Sequence, residues 1–224
     1  MLSSAEVRWF FRGDPPAEVG EWFRYGDLWA QQPDRIDEYL LLPGCSTTGI
    51  KLREGRFEVK VQTEGPVATE YPGGVRGHRD GWVKWSASLG DAEGVRASLR
   101  AGDEQWVRVR KARALRGFSL DGASHDDDPR EIDAGGERPG RGCGVEITEV
   151  RVLAPAESAW WTLGLEGFDD GGDPTECLER VARFFFAGTL PSVALDLDSS
   201  LALDLDASLS YAAWLGRGIW KEDR

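Results

Sequence analysis

Histidine, cysteine and lysine are scarce in this 224-residue chain, and each shortage removes a class of chemistry. The two histidines, His78 and His125, both sit in glycine- or aspartate-rich stretches, so a Ser–His–Asp triad has no good candidate base. Cys45, Cys143 and Cys177 match neither a zinc-ligand spacing nor the disulfide framework of a secreted domain, and a reducing, cytoplasmic setting is expected. No run approaches the roughly 18 apolar residues of a membrane span, and the first residues lack the basic-then-apolar order of an export signal. Lysine plus arginine number 27 against 39 aspartate plus glutamate, and the net charge of −12 argues against nucleic acid or an anionic membrane as partner. Gly140 to Gly144 alternates glycine, but without the spacing of a phosphate-binding loop or a dinucleotide fingerprint.

What is present is unevenly placed. Residues 51–116 hold 14 basic and 9 acidic side chains, so a basic middle sits inside an acidic protein. Four of the five lysines, Lys51, Lys60, Lys84 and Lys111, fall in that stretch, each in a segment that reads as a strand.

Strand signals recur along the chain. Glu6–Phe11 comes first, followed by Asp14-Pro15-Pro16 and the helical spacing of Val19, Trp22 and Phe23. Segments 37–42, 49–53 and 56–62 are divided by Pro43-Gly44 and Glu54-Gly55 at hairpin distance. Further strands are expected at 81–86, 106–115, 144–152 and 160–166, for a total of about eight. Residues 121–142, rich in Gly, Asp and Pro, read as a mobile acidic loop, and the caps around Asp173 predict a helix over 173–187. Residues 194–209 nearly duplicate one eight-residue acidic unit and are assigned no chemistry. No linker divides the chain, so residues 1–224 are expected to form one mainly β (α+β) domain, an eight-stranded antiparallel β-barrel or tunnel with a few peripheral helices.

Alternation then sorts the strand faces. Ile50 and Leu52 share one side with Lys51 and Arg53 on the other, and Phe57 and Val59 oppose Glu58 and Lys60. At 107–113 the phase is ambiguous: either a bulge intervenes, or Lys111 and Arg113 form a ligand-facing pair. Two assignments remain open. The charged faces line a polar lumen, or they face water around an ordinary core to which the strand tryptophans Trp9, Trp82, Trp85, Trp106, Trp160 and Trp161 belong.

The segment order resembles the CYTH-like superfamily, the triphosphate tunnel metalloenzymes. The likeness rests on Gly49-Ile-Lys-Leu-Arg53 followed by Phe57-Glu-Val-Lys60, on Lys111-Ala-Arg113, on Trp161-Thr-Leu-Gly-Leu-Glu166 and on Ser210-Tyr211 before Ala-Ala-Trp-Leu215. It implies an antiparallel tunnel in which Arg8, Lys51, Arg53, Lys60, Lys84, Lys111 and Arg113 bind phosphates. It further implies that Glu6, Glu146 and Glu166, with Glu58 as a substitute, hold Mg²⁺ or Mn²⁺. The first strand departs from the family's Glu-x-Glu-x-Lys by reading Glu6-x-Arg8-x-Phe10, and Gly164 stands where a second late acid is expected. The expectation is therefore a barrel that binds a small phosphorylated ligand, phosphate, polyphosphate or nucleotide, with a degenerate catalytic site. The alternative is a metal-dependent phosphohydrolase acting on an organic or inorganic triphosphate.

Overall fold

The computed structural model describes residues 2–90, 94, 105–125, 127–154, 157–188 and 203–221. Nine strands, β1 (Leu2–Arg12), β2 (Ala30–Leu40), β3 (Thr48–Arg53), β4 (Arg56–Glu70), β5 (Arg76–Ser88), β6 (Trp106–Ser119), β7 (Arg130–Ile132), β8 (Arg141–Ala154) and β9 (Ser158–Asp169), form one antiparallel sheet. Its order is β2-β3-β4-β5-β1-β9-β8-β6, and a β2–β6 pairing closes those eight strands into a barrel. The short β7 pairs with the end of β6, so part of the 121–142 segment is strand. The ends of that segment are tied as well, because Asp121 accepts from the Gly140 and Arg141 amides.

Local chemistry explains the tight connections. The β3–β4 hairpin turns on Glu54 and Gly55, both at positive φ, as a two-residue turn with the strands' own twist requires. In β2 the register slips between Gln32 and Arg35, where Pro33 has no amide to donate.

The α-helices with bounds among the described residues are α1 (Ala17–Phe23), α2 (Pro174–Gly188) and α3 (Tyr211–Gly216). The Thr175 amide donates to Asp173 at 2.8 Å, capping α2, and the Ala213 amide donates to Ser210 at 3.1 Å, capping α3. No helix among the described residues is long and apolar enough to cross a membrane.

Two apolar clusters divide the packing. The larger lies outside the barrel wall: Val7, Trp9 and Phe11 of β1, Leu163 and Leu165 of β9, and Val145 and Ile147 of β8 meet Leu178, Val181, Phe185 and Phe186 of α2. The smaller lies inside one end of the barrel, where Phe10, Val107, Val109, Val150, Val152 and Trp160 pack on Trp214 and Leu215 of α3. α2 therefore clads the barrel, and α3 plugs it. The tryptophans divide accordingly: Trp9 and Trp161 join the outer core, Trp160 the plug, and Trp82 the lumen wall. Trp85, at 47% exposure, departs from the core role expected of it, because it points outward from β5, on the face opposite Trp82 and Lys84. Half of the acidic duplication, 194–202, lies outside the described residues. In the other half Leu203 joins the outer core, and Ser208 bridges to Trp9.

Candidate functional site

Register fixes which side chains look inward. Opposed residues in neighbouring strands share a face, and tracing Glu6–Glu166, Gly144–Glu166, Leu115–Glu146, Lys51–Glu58 and Lys51–Tyr39 around the barrel places them all on the inside. The enclosed cavity is about 490 Å³. Every site residue expected from sequence lines it: Arg8, Lys51, Arg53, Lys60, Lys84, Lys111 and Arg113, with Glu6, Glu58, Glu146 and Glu166. The ambiguous phase in β6 resolves with Val107, Val109, Lys111 and Arg113 on one inward row. Its apolar half lies under α3 and its cationic half in the open lumen. The bulge against β8 falls earlier, between Arg108 and Val109.

The charges form three knots. In the first, Arg8 Nη1 donates to Glu146 Oε1 at 2.7 Å and to Thr162 Oγ1 at 3.0 Å, while Arg113 Nη1 takes Glu146 Oε2 at 2.8 Å. Burial pushes the Glu146 carboxyl up, but the two guanidinium groups outweigh it and hold it far below the usual range. Gly164 makes this knot possible: a Cβ there would lie 2.6 Å from the Arg8 guanidinium. Arg8 and Gly164 are thus coupled, with Arg8 occupying the volume that an inward side chain at 164 would fill.

The second knot surrounds Asp37, which is fully buried. Lys111 Nζ lies 3.4 Å from its Oδ2 and Lys51 Nζ 3.6 Å, and Arg35 Nε is 3.5 Å from Oδ1. Tyr39 links the group, accepting from Lys111 Nζ at 2.6 Å and donating to Asp37 Oδ2 at 3.0 Å. Asp37 serves three cations, and although burial pushes it up, they hold it firmly ionised. The lysines share that one acid. Burial, helped by the neighbouring cations, pushes Lys111 well below its usual range and Lys51 lower as well. Lys51 also reaches Glu58 at 3.1 Å, beside the Arg53–Glu58 pair at 2.6 Å.

The third knot is acidic. Glu6 and Glu166 are directly opposed, and Lys60 bonds Glu6. Burial raises both carboxyls; Lys60 and Arg8 more than compensate at Glu6, whereas at Glu166 the charge of Glu6 adds to burial. Glu166 is therefore the member that holds a proton more tightly than an ordinary glutamate does. Asp80, opposite Glu6 on the other side, is pushed up to about 6 by burial.

These residues do not fit a resident metal as they stand. Glu146 and Glu58 spend both oxygens on cations, and among the described residues no three of His, Cys, Asp and Glu converge as a metal site. Lys84, by contrast, makes no ion pair within 4 Å among the described residues and stays available to a ligand. Sequence reasoning passed over Arg35, Asp37, Tyr39 and Asp80. The first three occupy alternate positions on the inward face of β2, beyond the register slip at Pro33 that interrupts the pattern.

No family model matches the chain, and no curated protein matches it. Among solved structures, that of PH1012 protein from Pyrococcus horikoshii OT3 is similar at a TM-score of 0.38 and 13% identity, over 91% of this chain and 93% of that chain.

Proposed function

We propose that the lumen binds a phosphate-bearing anion, a polyphosphate or a phosphorylated small molecule such as a nucleotide, in a CYTH-like barrel whose catalytic carboxylates are reduced. The observation that carries this reading is the excess of cations on the cavity wall: Arg8, Arg35, Lys51, Arg53, Lys60, Lys84, Lys111, Arg113 and Arg138 against Glu6, Glu58, Asp133, Glu137, Glu146 and Glu166, with Asp37 buried behind Lys51 and Lys111. Crowded like charge in a partly desolvated space is costly, and an oxyanion with several negative oxygens relieves it through charge-assisted hydrogen bonds. A bound anion also offsets the burial that disfavours the ammonium forms of Lys111 and Lys51.

The Arg8–Glu146–Arg113 knot supports the degenerate half of the proposal. A carboxylate with both oxygens engaged by guanidinium groups has none to spare for a metal ion that activates a phosphoryl group. One observation favours the alternative, a metal-dependent triphosphatase: Glu6 and Glu166 face each other, and a divalent ion between them would offset their like charge.

Thermal-shift titration with tripolyphosphate, orthophosphate and nucleotides, with and without Mg²⁺ or Mn²⁺, separates the two. Stabilisation by tripolyphosphate without metal is expected. Stabilisation only with metal, together with hydrolysis, would transfer the site to the alternative. No response to any anion at millimolar concentration would end both. Arg53→Ala is expected to weaken tripolyphosphate roughly ten- to a hundredfold by calorimetry, the cost of one charge-assisted clamp.

A further inference from the structure

The tunnel changes character at the end away from α3. Down the inward row of β6, Lys111 and Arg113 give way to Leu115, and on β9 Glu166 gives way to Phe168. Leu2 of β1, with Ile132 and Pro139 from the β6–β8 connection, lies on the wall of the same cavity. The cation belt thus opens through a mouth where Leu2, Leu115, Ile132 and Phe168 lie among Asp133, Glu137 and Arg138, the last over the Phe168 ring at 3.7 Å. Ile132 fits there because the residue paired with it is glycine: a Cβ at Gly117 would lie 3.2 Å from Ile132 Cγ1. Leu2 is 54% exposed although it forms part of the cavity wall, so the mouth is open to a ligand rather than closed on itself.

We infer that the ligand of the tunnel is a phosphate or diphosphate ester carrying an apolar chain, its charged head in the cation belt and its chain against Leu2, Leu115, Ile132 and Phe168. The inference rests on the anion-binding reading above and names the substrate class. Charge complementarity fixes the orientation, because the only part of such an ester that the belt can accept is its head. The cavity volume lies within the roughly 300–1,000 Å³ of pockets that enclose drug-sized molecules, which leaves room for an organic group beside the phosphates.

Isothermal titration of the full chain with inorganic diphosphate and with geranyl diphosphate tests it. Each methylene moved from water into the mouth raises affinity roughly fourfold, so two buried methylenes already give geranyl diphosphate an advantage of about tenfold or more. Ile132→Ser and Leu115→Gln should each shrink the ratio of the two affinities toward one. Equal affinity in the unmodified protein overturns the apolar-chain inference and leaves the anion site standing, whereas binding of neither compound removes both. A geranyl preference that survives both substitutions places the chain elsewhere and also overturns it.

Discussion

Strand β1 turns Val7, Trp9 and Phe11 outward to the helices and Glu6 and Arg8 inward to the lumen, and β9 does the same with Leu163 and Leu165 against Glu166. In most small barrels the inward positions make the core. Here the core that stabilises the fold is on the outside under α2, with only the α3 end packed within. The inward face is thereby released from packing duty, and charge accumulates there, with Asp37, Glu58 and Glu146 each shared between cations.

That division predicts opposite consequences for neighbouring residues. Trp9 is fully buried in the outer core, edge-on to Phe186, and its Nε1 donates to the Arg76 carbonyl at 2.9 Å. Trp9→Ala should cost about 3–5 kcal/mol by denaturant unfolding. The fraction that remains folded should bind tripolyphosphate unchanged, and a large loss of affinity would break the division.

Arg8 is next in size. Removing it leaves the buried Glu146 with Arg113 as its one ion-pair partner beside the Thr148 hydroxyl, and Arg8→Ala should destabilise by about 3 kcal/mol, at the lower end for a broken buried pair. If the inner knot serves binding rather than stability, Arg8→Met combined with Glu146→Leu should be more stable than Arg8→Ala while binding anion more weakly than the unmodified protein. A double variant that binds as before would show the knot to be structural only. Gly164→Ala follows at about 1–3 kcal/mol, because its methyl group would have to displace the Arg8 guanidinium. The same substitution in an Arg8→Ala background should be nearly neutral.

How far the sequence disclosed this arrangement follows from the same two faces. Short-range alternation identified Lys51, Arg53, Glu58 and Lys60, because β3 and β4 are regular and joined by a two-residue turn. It failed on β2, where Pro33 and the slipped register conceal a row running Arg35, Asp37, Tyr39. Val107 and Val109 read as the face opposite the charge, yet they share the inward side with Lys111 and Arg113. What reconciles them is α3, a plug docked from about a hundred residues away, and no local pattern in β6 announces it. The coupling of Arg8 to Gly164 was equally hidden: both positions stood out as departures from a family pattern, but only the β1–β9 register reveals that one fills the space left by the other.

The smallest expected effect concerns Asp80, at the edge between the two regions. Its carboxyl is pushed up to about 6 by burial, while Gln62 donates a hydrogen bond to it and Glu6 adds a like charge. An acid that binds its proton more tightly when folded makes the native state lose stability as pH rises from near its unfolded value of 3.8 through 6. Asp80→Asn removes that loss and keeps an oxygen for Gln62. The variant should therefore melt higher than the unmodified protein at pH 8, on the order of 2–4 °C, with the difference shrinking to nothing as pH falls below 4. Glu146 and Asp37, held ionised by their cations, act in the opposite direction and weaken both proteins alike at the acid end. The informative quantity is accordingly the difference between the two melting curves across pH 4–8. A constant offset would mean that Asp80 is not protonated in the fold, and that the lumen's charge is compensated more evenly than the contrast between its knots implies.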